Sequence, residues 1–112
     1  PPAAPPATAG PGDPTRGEML FGERGCNGCH TIKGVGGQVG PDLSKVGVRD
    51  LARERPGRTW PGLEAYIRES IEKPNAYVVP RFPSPSPMPP AELLLPAEQD
   101  RRDIIAFLLT LK

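Results

Sequence analysis

The sequence predicts an all-α chain. Apolar residues recur at helical spacing in "LEAYIRESIEK" (63–73), at Leu63, Tyr66, Ile67 and Ile71. They recur again near the C-terminus, where Ile104, Ile105, Leu108 and Leu111 share a face with Phe107 beside them. The stretches between, 31–62 and 74–90, are crowded with glycine and proline and show no strand-like alternation.

Taken in order, residues 1–12 ("PPAAPPATAGPG") carry no charge and no large apolar side chain, so they cannot join a core. A Pro/Ala stretch favours an extended, semi-stiff conformation, and we expect a linker or tether there. The folded domain is expected over 13–112. Asp13 suits a helix cap, Pro14 the first helical position, and Thr15 with Glu18 a capping box. Met19, Leu20 and Phe21 supply the apolar face, with Met19 expected to pack in the core, and Gly25 ends the helix. Loops with short helical turns are expected over 31–62. Pro74 stops the middle helix, and the prolines of 74–90 exclude any regular element there. A last helix is expected from near Pro96 to the end.

The chain has 112 residues, of which 13 are glycine and 17 proline, and only six aromatics. A domain this small and loop-rich is marginal on burial alone and needs a staple or a bound group in its centre. The net charge of +1, with both signs scattered, excludes the basic stripe of a nucleic-acid binder. No apolar run approaches the roughly 20 residues that span a bilayer.

Both cysteines and the sole histidine fall in "CNGCH", residues 26–30. A disulfide between Cys26 and Cys29 would close a very small loop and remove little chain entropy. Structural zinc takes four ligands, and three at most are here, two of them adjacent. A redox dithiol of the thioredoxin kind belongs to a βαβ pattern that this chain lacks. Covalent haem attachment fits every residue. The two thiols add across the vinyl groups, and the following histidine supplies the proximal imidazole.

A haem with one histidine leaves its other axial position to be explained. Methionine, a weaker ligand, water or an open site are the choices, and only Met19 and Met88 are available. Met19 precedes His30 by eleven residues in the same helix-and-turn segment, too close to reach the opposite haem face. Met88 lies in "PSPSPMPP", where prolines restrict the backbone around a soft thioether.

The motifs "GEMLFGERGCNGCH", "GPDL" (40–43), "KPNAY" (73–77), "PMPP" (87–90) and "IIAFLLTLK", in that order, resemble those of the class I cytochromes c. The resemblance covers about 13–112. It implies a fold in which N- and C-terminal helices cross, with a middle helix and long loops wrapped around one covalent haem c. It implies that Cys26 and Cys29 carry the haem and that His30 and Met88 bind the iron. Pro41 would accept the free ring N–H of His30 at its carbonyl. Gly17, Leu20 and Phe21 would meet Phe107 and Leu108 at the helix crossing. Trp60 would donate its indole N–H to a haem propionate, with Tyr77 and Arg81 as weaker candidates for the propionates or their loop.

By the same resemblance the chain is expected to be a one-electron carrier in a respiratory or photosynthetic chain, not an enzyme, with no catalytic residues. Two alternatives stand: a domain through which electrons enter a larger oxidoreductase such as a haem-copper oxidase, and a haem-based sensor or gas-binding module. The loop 74–90 resembles those of small bacterial cytochromes and of cytochrome domains fused to oxidases. That places the expected location in the periplasm or on the outer face of the bacterial cytoplasmic membrane, with a membrane anchor or fused domain upstream of the tether. Redox proteins would dock as partners at the exposed haem edge of a monomer. The segments expected to border that edge, 26–30, 34–41 and 82–90, contain no acid or base except His30, with Lys33 and Arg81 at the margins.

Overall fold

A computed structural model describes residues 12–112. Residues 1–11, nearly all of the expected tether, lie outside the described residues. Gly12 belongs to the folded body: a Cβ there would overlap the Arg102 carbonyl and stand 2.8 Å from Ala106 Cβ.

Helix α1 spans Pro14–Glu23. Asp13 caps it, its carboxylate accepting the N–H groups of Thr15 at 2.9 Å and Arg16 at 3.3 Å. The expected capping box at Thr15 and Glu18 therefore does not form, because the helix starts one residue earlier and Thr15 is itself a donor to the cap. Gly25 follows at φ +78°, the left-handed geometry that ends helices.

A 3₁₀ turn at Cys26–Gly28 leads into a minimal antiparallel pair, β1 (Thr31–Ile32) and β2 (Val35–Gly36), with Thr31 opposite Gly36. This pair corrects the expectation of a strand-free chain. Two-residue strands show no alternation to read. Their turn forms because Lys33 and Gly34 both take positive φ, 51° and 82°, as a tight hairpin turn requires. A second 3₁₀ turn at Val46–Val48 and the short α2 (Leu51–Glu54) occupy the stretch expected to be loop with helical turns.

Helix α3 spans Leu63–Glu72 and buries Tyr66, Ile67 and Ile71. Residues 74–90 form no regular element. The short α4 (Ala91–Leu94) then appears, unforeseen in the sequence. Helix α5 runs Glu98–Leu109, starting two residues later and stopping sooner than expected. Glu98 and Asp100 stand in its first turn, where negative charge suits the helix dipole.

Helices α1 and α5 cross at Gly17, where a Cβ would overlap the Asp103 carbonyl and stand 2.8 Å from Phe107 Cβ. Phe21 meets Phe107 edge-on at 5.8 Å. Beside the crossing, Arg16 donates to Asp100 at 2.5 Å and Asp103 at 2.8 Å, a buried ionic cluster. Met19 is half-buried and stands outside the core cluster, not within it as expected, because Leu20 and Phe21 occupy the face turned to α5. Among the described residues, no helix is long and apolar enough to cross a membrane.

Candidate haem-binding site

The turn that follows α1 brings Cys26, Cys29 and His30 together. The N–H groups of Cys29 and His30 both donate to the Cys26 carbonyl, at 3.2 and 3.1 Å. Cys26 is half-buried and Cys29 exposed, and the two thiols form no disulfide. Burial pushes the Cys26 thiol up. Among the described residues no three His, Cys, Asp or Glu side chains cluster as a metal site would require.

His30 is held from two sides. Its Nδ1 lies 2.8 Å from the Pro41 carbonyl. A carbonyl only accepts, so Nδ1 carries the proton and Nε2 keeps the free lone pair. Gly40 lies flat against the imidazole, where a Cβ would come to 2.5 Å from Cε1. Gly36 and Gly37 permit the same close wrapping, and Thr31 Oγ1 ties the loop by donating to the Gly37 carbonyl at 2.8 Å.

These groups open on a cavity of about 340 Å³ with mostly apolar walls. Cys26, Cys29, His30, Pro41, Tyr77 and Met88 all line it. Met88 is half-buried, its N–H donating to Ser86 Oγ at 3.2 Å. Two thiols, an imidazole with one free nitrogen and a thioether around one apolar space are the donors a covalently held haem needs. The residues present fit that group.

Tyr77 turns its hydroxyl away to donate to the Pro56 carbonyl at 3.1 Å. Trp60 is not brought to the cavity wall. Its indole N–H donates to Glu69 at 3.1 Å, Arg58 stacks over the ring at 4.8 Å, and its edges meet Tyr66 and Tyr77. Arg81 is exposed, at φ +80°, and also stands off the wall.

Sequence reading missed Arg55. It lines the cavity at 6% exposure, donating Nε–H to Tyr66 Oη at 2.8 Å and Nη1–H to the Glu54 carbonyl at 2.9 Å. No carboxylate stands within ion-pair reach of it among the described residues. Its charge reaches the Glu54 carboxylate without pairing with it, and a buried guanidinium with no paired anion is costly unless one joins it. In the sequence it reads as one charge among several in "RERPG", and only its packing under Tyr66 marks it.

The family description for cytochrome c matches residues 14–112. Among solved structures, ferric cytochrome c-550 from Paracoccus versutus superposes with a TM-score of 0.51. That match is 23% identical and covers 89% of this chain and 98% of that one, an agreement of fold. Cytochrome c oxidase subunit 2 of Alkalihalophilus pseudofirmus is 30% identical over 97 residues, 87% of this chain. The chain spans 25% of that relative's length. With the crossed terminal helices, the attachment turn and the matched span agreeing, the chain belongs to the cytochrome c family, electron carriers that hold haem c covalently, and has the class I fold.

Proposed function

We propose that the domain is a one-electron carrier whose haem c is bonded through Cys26 and Cys29, with His30 and Met88 as the iron's axial ligands. The observation that carries this reading is the pairing of His30 and Met88 on one apolar cavity, with the Pro41 carbonyl leaving Nε2 as the ring's free donor. When bound, the haem supplies an iron that alternates between ferric and ferrous states. The chain's part is to keep both ligands in place, so that little rearranges as charge changes, and to exclude water. Arg55, with Tyr66 beside it, is the group suited to receive a propionate. This replaces Trp60, whose donor faces Glu69.

The test is the ferric spectrum of the purified protein and of Met88→Ala. The long-wavelength charge-transfer band of sulfur–iron ligation is expected in the first and absent from the second. A band that survives the substitution, or rapid carbon monoxide binding to the native ferrous form, would overturn the ligand set in favour of a sensor or gas-binding module.

The match to an oxidase subunit 2 favours a second reading, in which the domain passes electrons into a larger membrane-bound oxidoreductase. An antibody raised against 13–112 decides between the two in native membranes. Reactivity at the mass of a far larger polypeptide supports the fused domain, and reactivity at the mass of a small cytochrome a separate carrier. Either form would work in the periplasm or on the outer membrane face, with 1–11 as the tether. The uncharged segments 34–41 and 82–90 and the exposed Val35 (75%) and Val39 (48%) support a docking surface for redox partners that relies on apolar contact.

A further inference from the structure

Two arginines from distant parts of the chain grip the same short helix. Arg24, the residue that ends α1 two positions before Cys26, donates Nη1–H to the Leu94 carbonyl at 3.1 Å. Arg101 of α5 donates Nε–H to the Leu95 carbonyl at 2.7 Å. These carbonyls close α4, and the last carbonyls of a helix have no partner within it. Pro96 follows and brings no N–H to meet them. Both guanidinium groups are braced from behind. Arg24 Nη2 lies 3.5 Å from Asp100 Oδ2, and Arg101 Nη1 lies 3.2 Å from Glu72 Oε2. Asp100 is fixed in turn by Arg16.

Helix α4 begins three residues after Met88, and Pro89 and Pro90 fill the whole gap, so little freedom separates the two. Ala91 and Leu95 are buried in the cavity wall. Upstream the loop is thinly held. Ser86 N–H donates to Asn75 Oδ1 at 2.7 Å and Met88 N–H to Ser86 Oγ, while backbone pairing amounts to Ala76 on Lys73 and Phe82 on Val79 among the described residues.

We infer that Arg24 and Arg101 are positioning residues that set Met88 in the cavity by clasping α4, joining the methionine loop to the attachment helix on one side and to α5 on the other. The inference rests on Met88 being an iron ligand. Loss of either arginine frees a helix-terminal carbonyl and lets α4 fray, and Met88 then leaves its place more often.

The experiment uses the haem-loaded protein with Arg24→Gln and Arg101→Gln. Imidazole uptake by the ferric form, which requires Met88 to depart, is expected to rise about tenfold in each, the effect of losing one charge-assisted hydrogen bond. Amide exchange at Leu93, Leu94 and Leu95 is expected to accelerate in step, while the far-ultraviolet helical signal holds. Uptake unchanged within about twofold in both variants overturns the inference. So does faster exchange at α4 without faster uptake. If Arg24→Gln fails to load haem, Arg101→Gln carries the same test from the other carbonyl. Met88→Ala keeps the failures apart, since retention of its sulfur–iron band overturns the ligand, whereas exchange at α4 reads the clasp whichever group binds iron.

Discussion

Replacing Gly17 by alanine puts one methyl group where α1 and α5 have no room for it. The new carbon would overlap the Asp103 carbonyl and stand 2.8 Å from Phe107 Cβ. Carbons in contact prefer about 3.5–4.0 Å, so the helices must part by about 1 Å. Overpacking of this kind costs about 1–3 kcal/mol. The same separation stretches the Arg16 bridges to Asp100 and Asp103, now 2.5 and 2.8 Å. About 1 Å more takes both beyond the hydrogen-bond range of roughly 3.2 Å, and a bond to a charged partner contributes about 1.5–3 kcal/mol. Alanine returns about 1 kcal/mol through helix propensity. With both bonds lost the net is about 3–8 kcal/mol, which lowers Tm by more than about 10 °C in a domain of this size. Thermal unfolding of the haem-loaded variant, followed by circular dichroism, measures it. A Tm within about 3 °C of the native value would refute the claim that this crossing is closed to a side chain.

Three further outcomes follow from the same geometry. The double variant Cys26→Ala, Cys29→Ala, produced without haem, is expected to be largely unfolded, because the apolar cavity at its centre has nothing to fill it; a native-like helical spectrum refutes this. Burial raises the Asp103 carboxyl, but bonds from Arg16, the Asp13 N–H and Gln99 outweigh it and hold the carboxyl below the ordinary range. A depressed folded value means stability that is present above an unfolded value of about 3.9 and lost as pH falls through the folded one. Asp103→Asn is therefore expected to be less stable than the native protein at neutral pH, with the gap closing below about pH 4; a gap that persists in acid counts against the assignment. Electron transfer to the physiological partner is expected to slow less than about tenfold between low and physiological salt, because the segments around the cavity mouth carry almost no charge; a steeper fall in stopped-flow rates sinks the idea of apolar docking.

The legible parts of the molecule were those fixed by local chemistry. Asp13, Pro14 and Gly25 bound α1 because capping and left-handed turns need only neighbours in sequence. Cys26, Cys29 and His30 fall within five positions, so the haem reading we propose for them comes from their spacing alone. The assignment of Met88 that we propose rests on there being two methionines, one of which, Met19, is tied to the wrong segment. Trp60 and Arg55 show where such reading stops. Both are ordinary residues in irregular chain, and which one faces the cavity depends on Glu69 of α3 drawing the indole outward and Tyr66 of α3 holding the guanidinium inward. Neither contact leaves a trace in spacing or composition. The four residues of α4 were illegible for the same reason, since the side chains that satisfy their end carbonyls come from Arg24 and Arg101, 70 and 6 positions away.

The two halves of the site are consequently built in different ways. Around His30 the chain is over-determined at short range. The turn at Cys26, the Pro41 carbonyl and glycines 36, 37 and 40 fix the imidazole within a segment of fewer than twenty residues. Around Met88 local bonds are few, and position comes from stiff prolines and from α4, which is held by groups of α1 and α5. The histidine side therefore depends on contacts that are local in sequence, and the methionine side on the crossing of the terminal helices. Damage at Gly17 or Arg16, far from Met88 in sequence, should reach the thioether before it reaches the imidazole. The soft thioether that we assign to the iron is also the group whose place depends on the whole fold.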